Sequence, residues 1–132
     1  MADARLLRLG SPRRARPRTL DRSEYPAAVA FCQAQGAQGV MAGHRIGQAM
    51  SFPAAVGEVW ALERSGARRL GQALRSDHLQ AVIWAGGSVM PVGLAESAAS
   101  FAALALGRGG RYTSLVGDAV AVAGLWGGLE TA

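Results

Sequence analysis

Apolar positions along the chain recur with two different periods, and each change of period marks a change of element. The clearest signal lies near the end. Residues 112–117, Tyr-Thr-Ser-Leu-Val-Gly, read as a short buried strand. Val122, Leu125, Trp126 and Leu129 then recur at i, i+3, i+4 and i+7, one stripe of a helix over 118–130. Asp118 can cap its first turn. Trp126 is expected to anchor the core rather than to stack on a base.

Upstream, the period changes at Val56, and residues 56–63 read as a strand that ends at the turn signal Ser65-Gly66. Strands over 79–84 and 89–92 flank Ala85-Gly86-Gly87-Ser88, a hairpin turn whose glycines can take positive φ. Pro91 lacks an amide donor, so its strand is expected at a sheet edge or with a bulge at that residue. A short strand near 16–20 leads to a helix over 21–35. There Asp21 and Glu24 mark a cap, Leu20 and Tyr25 a hydrophobic staple, and Pro26 the start of the regular helix after a tight first turn. A second helix over 40–50 carries Val40, Met41, His44 and Gln48 on one face. A third, over 95–106, turns Ala98, Phe101, Ala102, Leu104 and Ala105 inward and ends at Gly107. The element pattern is that of an α/β (α+β) domain.

Composition narrows the function classes. At 132 residues the chain fits one domain that can bury roughly two thirds of its unfolded surface. The net charge of +5 would ordinarily suggest a polyanionic partner. All 14 basic residues are Arg, however, and Lys and Asn are absent, a bias expected of GC-rich coding rather than of a selected cationic face. Nucleic acid is therefore not the expected partner. Cys32 is alone, which excludes an intrachain disulfide. No apolar run reaches the roughly 18 residues of a membrane span, and no secretory leader opens the chain. A cytoplasmic location with no membrane partner is expected.

A search for chemistry finds no catalytic constellation. The chain has no Lys, one Cys and two His, and no Gly-x-Ser-x-Gly elbow. His44 and His78 lie 34 residues apart with no local ligand pair, so no metal site is expected. Cys32 reads as a small core residue and His44 as a packed or surface histidine. Gly107-Arg-Gly-Gly-Arg111 has flexible amides and cations but follows a helix, the wrong polarity for a phosphate cradle. Arg68-Arg-Leu-Gly-Gln-Ala73 formally satisfies Arg/Gln-x-x-Gly-x-Gly/Ala, the loop with which GNAT acetyltransferases hold the pyrophosphate of acetyl-CoA. Arg68, Gly71 and Ala73 are thus the candidate cofactor-binding residues, and an ordinary hairpin insertion is the competing reading.

The order of elements is similar to the first two thirds of the GNAT fold. Leu20-Asp-Arg-Ser-Glu-Tyr-Pro-Ala-Ala-Val, Gly57-Glu-Val-Trp-Ala-Leu-Glu63, Ser88-Val-Met-Pro-Val-Gly93 and Ser114-Leu-Val-Gly117 with Leu125-Trp126 carry a closer likeness. Together they resemble a domain of unknown function that lies N-terminal to a GNAT acetyltransferase domain, mostly in high-GC actinobacterial proteins. The likeness spans about residues 15–130. It departs in a longer link between Glu63 and Leu79 and in Ala61-Leu62, where the family tends to have Gly-Tyr. The place where a GNAT would hold pyrophosphate, between Val92 and Ala98, lacks the Arg/Gln-x-x-Gly motif.

The resemblance implies a GNAT-like, largely antiparallel mixed sheet flanked by helices. Residues 1–14 would form a flexible Arg/Pro-containing arm, and residues 15–132 a single domain truncated before its next strand. The implied role is a non-catalytic N-terminal domain of an N-acetyltransferase. The full-length parent would transfer an acetyl group from acetyl-CoA to an amine, with no cofactor for this chain itself. Implied partners are the downstream GNAT catalytic domain and a second copy meeting an exposed sheet edge. The alternative is a stand-alone module whose Arg-rich arm engages nucleic acid or an acidic partner.

Overall fold

A computed structural model describes residues 16–52, 56–93, 95–107, 112 and 114–131. The arm expected over residues 1–14, residue 15 and the glycine-arginine segment at 108–111 lie outside the described residues. Strands β1 (Arg18–Thr19), β2 (Glu58–Glu63), β3 (Leu79–Ala85), β4 (Ser88–Gly93) and β5 (Ser114–Leu115) form one sheet in the order β1-β2-β3-β4-β5. Each of the first four is antiparallel to its neighbour in that order, and β5 runs parallel to β4. A parallel pair needs a crossover, here built from α3 (Ala95–Ala99) and α4 (Ala102–Gly107). Helices α1 (Tyr25–Ala34) and α2 (Val40–Ser51) connect β1 to β2, and α5 (Ala119–Thr131) closes the fold.

The period-2 pattern of the central strands buries side chains on both faces. Val59, Ala61, Val82, Trp84, Met90 and Val92 meet α1 and α2 through Phe31, Cys32 and Ile46. Trp60, Leu62, Ala81, Ile83 and Val89 meet the crossover and α5 through Ala98, Phe101 and Leu125. Sheet residues buried on both faces explain why these strands read as nearly continuous apolar runs. One bulge offsets the pattern: Leu62 pairs with Ala81 and Glu63 with Leu79, so Gln80 has no partner across β2. Its side-chain amide donates instead to the Ser97 hydroxyl at 2.8 Å, fastening β3 to α3.

Local chemistry at the helix ends follows the sequence. A 3-10 turn at Arg22–Glu24 precedes α1, whose first turn holds Pro26 where a missing amide donor costs nothing. The Glu24 carboxylate accepts the Asp21 N–H at 3.0 Å, and Leu20 and Tyr25 are both buried beside the cap. Asp118 accepts the N–H groups of Val120 and Ala121 at 3.1 and 3.3 Å, capping α5. Gly36, at φ +66, turns the chain out of α1.

Several expectations are refined or corrected. Val40, Met41, His44 and Gln48 share one face of α2 as expected, and that face points outward; the face that packs is Ala42, Gly43, Ile46 and Ala49. Small residues win because α2 lies tightly on α1: a Cβ on Gly43 would lie 3.1 Å from the Cys32 Cβ. Residues 95–107 form two short helices. The Ser100 and Phe101 amides bond three residues back, to Ser97 and Ala98, and the Ser100 hydroxyl also donates to the Ser97 carbonyl at 2.6 Å. Neither hairpin glycine has positive φ. Gly86 is needed for space, since a Cβ there would stand 2.8 Å from the Trp84 indole nitrogen. β5 is an exposed-to-half-buried edge of two residues rather than a buried strand, because only β4 flanks it. β4 in turn is an edge only beyond Val89, where pairing with β5 stops; Pro91 occupies that unpaired stretch without a bulge.

Two glycines separate space from propensity. A Cβ on Gly39 would collide with the Cys32 carbonyl, whereas one on Gly47, within α2, meets nothing within 4 Å. Urea unfolding should show Gly39→Ala destabilised by roughly 1–3 kcal/mol or more, as for overpacking against rigid atoms. Gly47→Ala should be stabilised by about 0.5–1 kcal/mol.

Candidate functional site

The residues with the greatest chemical potential are dispersed. Cys32 is fully buried on α1, and burial pushes its thiol up to about 12, which keeps it protonated and non-nucleophilic near neutrality. His44 is exposed on the outer face of α2. His78 is the histidine with defined surroundings: it is buried, and its Nδ1 accepts the Arg75 N–H at 2.9 Å, closing the turn that starts β3. Its Nε2 stands 4.0 Å from the Asp77 carboxylate. Among the described residues no group of three His, Cys, Asp or Glu is placed to hold a metal ion.

Arg68, Gly71 and Ala73 lie in the irregular β2–β3 loop. The Arg68 guanidinium meets both oxygens of Glu63, Nε to Oε1 at 2.9 Å and Nη2 to Oε2 at 3.0 Å, and donates to the Gln72 carbonyl at 3.3 Å. Glu63 also pairs with Arg18 at 3.2 Å, and Arg18 holds Glu24 at 2.7 Å. Hydrogen bonding from Arg18 lowers the Glu24 carboxyl below its ordinary value, and Glu24 in turn raises Arg18. The four side chains tie β1, the α1 cap, the end of β2 and the loop into one cluster. A 3-10 turn at Ser76–His78 and then β3 follow the loop, so no long helix presents its amides there.

An apolar concavity lies elsewhere, between α4, β5 and α5. It encloses about 630 Å³, within the range of ligand and peptide pockets. Leu125 forms its fully buried floor, Val122 and Leu129 its half-buried wall, and Leu106 and Trp126 its exposed rim. Trp126 is 54% exposed, contrary to its expected role as a core anchor. On a helix it stands about 100° from Leu125, so when Leu125 faces the sheet Trp126 is turned to the rim. Its indole N–H donates to Glu130 at 2.7 Å. Tyr112 stands at the other side, its ring edge-on to buried Trp60 at 5.7 Å. Ser114 contributes the polar contact, its hydroxyl 2.8 Å from that of Ser88. Among the described residues no carboxylate, imidazole or thiol lines this groove, so what they offer is mainly apolar surface for contact.

These features define a mixed α/β domain with a mostly antiparallel five-stranded sheet and an apolar groove beside its last helix. Residues 57–132, from just before β2 through α5, match a family described as a domain of unknown function, DUF4081. The chain belongs to that family. No curated protein and no solved structure matches it. No helix among the described residues is long and apolar enough to cross a membrane.

The stripe of α5 read in the sequence as a packed face, but it borders this groove, and Trp126 is left at the rim. Leu125→Ala should cost about 2–5 kcal/mol in chemical denaturation, as expected for a truncation at full burial. Trp126→Ala should cost well under half as much, since most of its indole is not covered by the fold.

Proposed function

We propose that this chain is a GNAT-like, non-catalytic N-terminal domain of an N-acetyltransferase, and that the α5 groove packs against the catalytic module of the parent. The observation that carries the reading is the groove itself: an apolar concavity with an exposed tryptophan at its rim and, among the described residues, the Tyr112 phenol as the one ionisable group in its lining. Such a surface suits domain packing better than proton transfer or acyl transfer. The sheet order, four antiparallel strands followed by a parallel fifth across a helical crossover, supports the GNAT likeness.

In the parent, acetyl-CoA and the amine acceptor would be handled by the catalytic module. This domain would contribute a rigid wall to that module or to its acceptor site. Arg68 supports the same assignment, because its guanidinium is already committed to Glu63 and the Gln72 carbonyl. The alternative of an Arg-rich arm that seeks polyanions gains nothing from Arg18, just beyond the arm in β1, which is held by Glu24 and Glu63.

Calorimetry tests the assignment. Titration of this chain with acetyl-CoA should give no saturable heat, while a chain carrying the acetyltransferase module should bind it. Saturable binding to this chain alone, abolished by Arg68→Ala with Gly71→Pro, would overturn the reading.

A further inference from the structure

At the opposite end of the sheet from the β3–β4 hairpin, residues 64–75 hold four arginines and no carboxylate. The loop has a defined shape. Ala67 N–H donates to the Arg64 carbonyl at 3.1 Å, and Gln72 N–H to the Arg69 carbonyl at 3.0 Å. The Gln72 side chain accepts the Arg69 N–H at 3.1 Å, and Gly66 and Gly71 take positive φ at the two turns. Arg68 anchors the whole to Glu63. With Glu63 met by Arg18 and Arg68, and Arg75 paired with the exposed Asp77 at 3.2 Å, Arg64 and Arg69 are the loop's charges left to solvent.

Arg64 and Arg69 are exposed, and no hydrogen bond or ion pair among the described residues engages either guanidinium. Beside them Leu70 is 106% exposed, more than any other large apolar residue described. Arg64, Arg69 and Leu70 border one open hollow of about 650 Å³, together with the turn glycines Gly66 and Gly71. A single exposed leucine is unremarkable, but one held between two free cations on a braced loop combines two recognition elements.

We propose that this loop docks an acidic protein surface: carboxylates of the partner pair with Arg64 and Arg69, and one of its apolar side chains covers Leu70. Both halves of the surface select this chemistry. A nucleic-acid strand would use the cations, but it would leave Leu70 unused, and residues 64–75 contain no aromatic ring on which a base could stack. The loop's bracing lowers the ordering cost of binding, and its cations make association fast and dependent on ionic strength. The proposal is independent of the role assigned to the α5 groove.

The probe is a fluorescein-labelled peptide of alternating Glu and Leu, read by anisotropy against the full chain. A Glu/Ser peptide of the same length and a single-stranded oligonucleotide of equal charge serve as competitors. The Glu/Leu peptide should bind at low ionic strength and dissociate at high salt. Arg64→Gln with Arg69→Gln should weaken it by about fivefold to tenfold, as for two rim ion pairs. Leu70→Ser should weaken it severalfold and abolish the preference over the Glu/Ser peptide. Trp126→Ala should leave it unchanged. Unchanged binding by the double arginine variant while its circular dichroism is native would overturn the proposal. So would failure of the peptide to bind, or more effective competition by the oligonucleotide than by the Glu/Ser peptide.

Discussion

Burial of the central strands on both faces is the constraint on which the rest of the molecule depends. Trp60 and Ile83 face one layer, Val59 and Val82 the other, and all four are fully buried. A sheet of this kind has no solvated face, so each layer of helices is obligatory. On the first face the cover is tight: α2 lies against α1 through Ala42, Gly43 and Ala49, with Gly39 almost touching the Cys32 carbonyl. On the second, α5 approaches α3 so closely that a Cβ on Gly128 would lie 2.7 Å from the Ala99 carbonyl. Toward α4 and β5 it stands away, and the α5 groove is the space left between them. The groove is therefore a consequence of how the second layer is built.

Charge plays a different part at the other end. Arg18, Glu24, Glu63 and Arg68 make one half-buried cluster, and each carboxylate in it is met by at least one guanidinium. Pairs this exposed contribute modestly to stability, at most about 1 kcal/mol each. Their larger effect is geometric. They fasten the two-residue β1 to the sheet and fix the base of the β2–β3 loop, so the remaining arginines of that loop project from a braced frame. An arginine-rich composition thus yields both internal fasteners and outward charge, and counting residues does not separate the two.

Much of the architecture was legible because it rests on local rules. Pro26 in the first turn of α1, Asp118 at the cap of α5 and the strands around Gly86-Gly87 all follow from short-range chemistry. Burial faces were harder to read in an alanine- and glycine-rich chain. In α2 the bulky Val40 and Met41 point to solvent, because close helix packing is satisfied by smaller side chains. Trp126 was misplaced for a related reason: a stripe defined by hydrophobicity is wider than the seam one helix can bury. The bulge at Gln80 and the break at Ser100 depend on side-chain hydrogen bonds to Ser97, and residue periodicity carries no trace of those. The candidate loop at Arg68 could be found as a pattern, but its spacing does not show that Glu63 holds that arginine, nor that Arg18 of β1, distant in sequence, meets the same carboxylate.

If the α5 groove is a packing surface between domains, covering it should slow the opening of the helix that forms it. Amide hydrogen exchange over residues 119–131, compared between this chain and one extended by the acetyltransferase module proposed above, measures that directly. The account predicts a marked gain of protection along α5 in the extended chain, centred on Leu125, with α1 and α2 unchanged. Equal exchange of α5 in the two chains would contradict it.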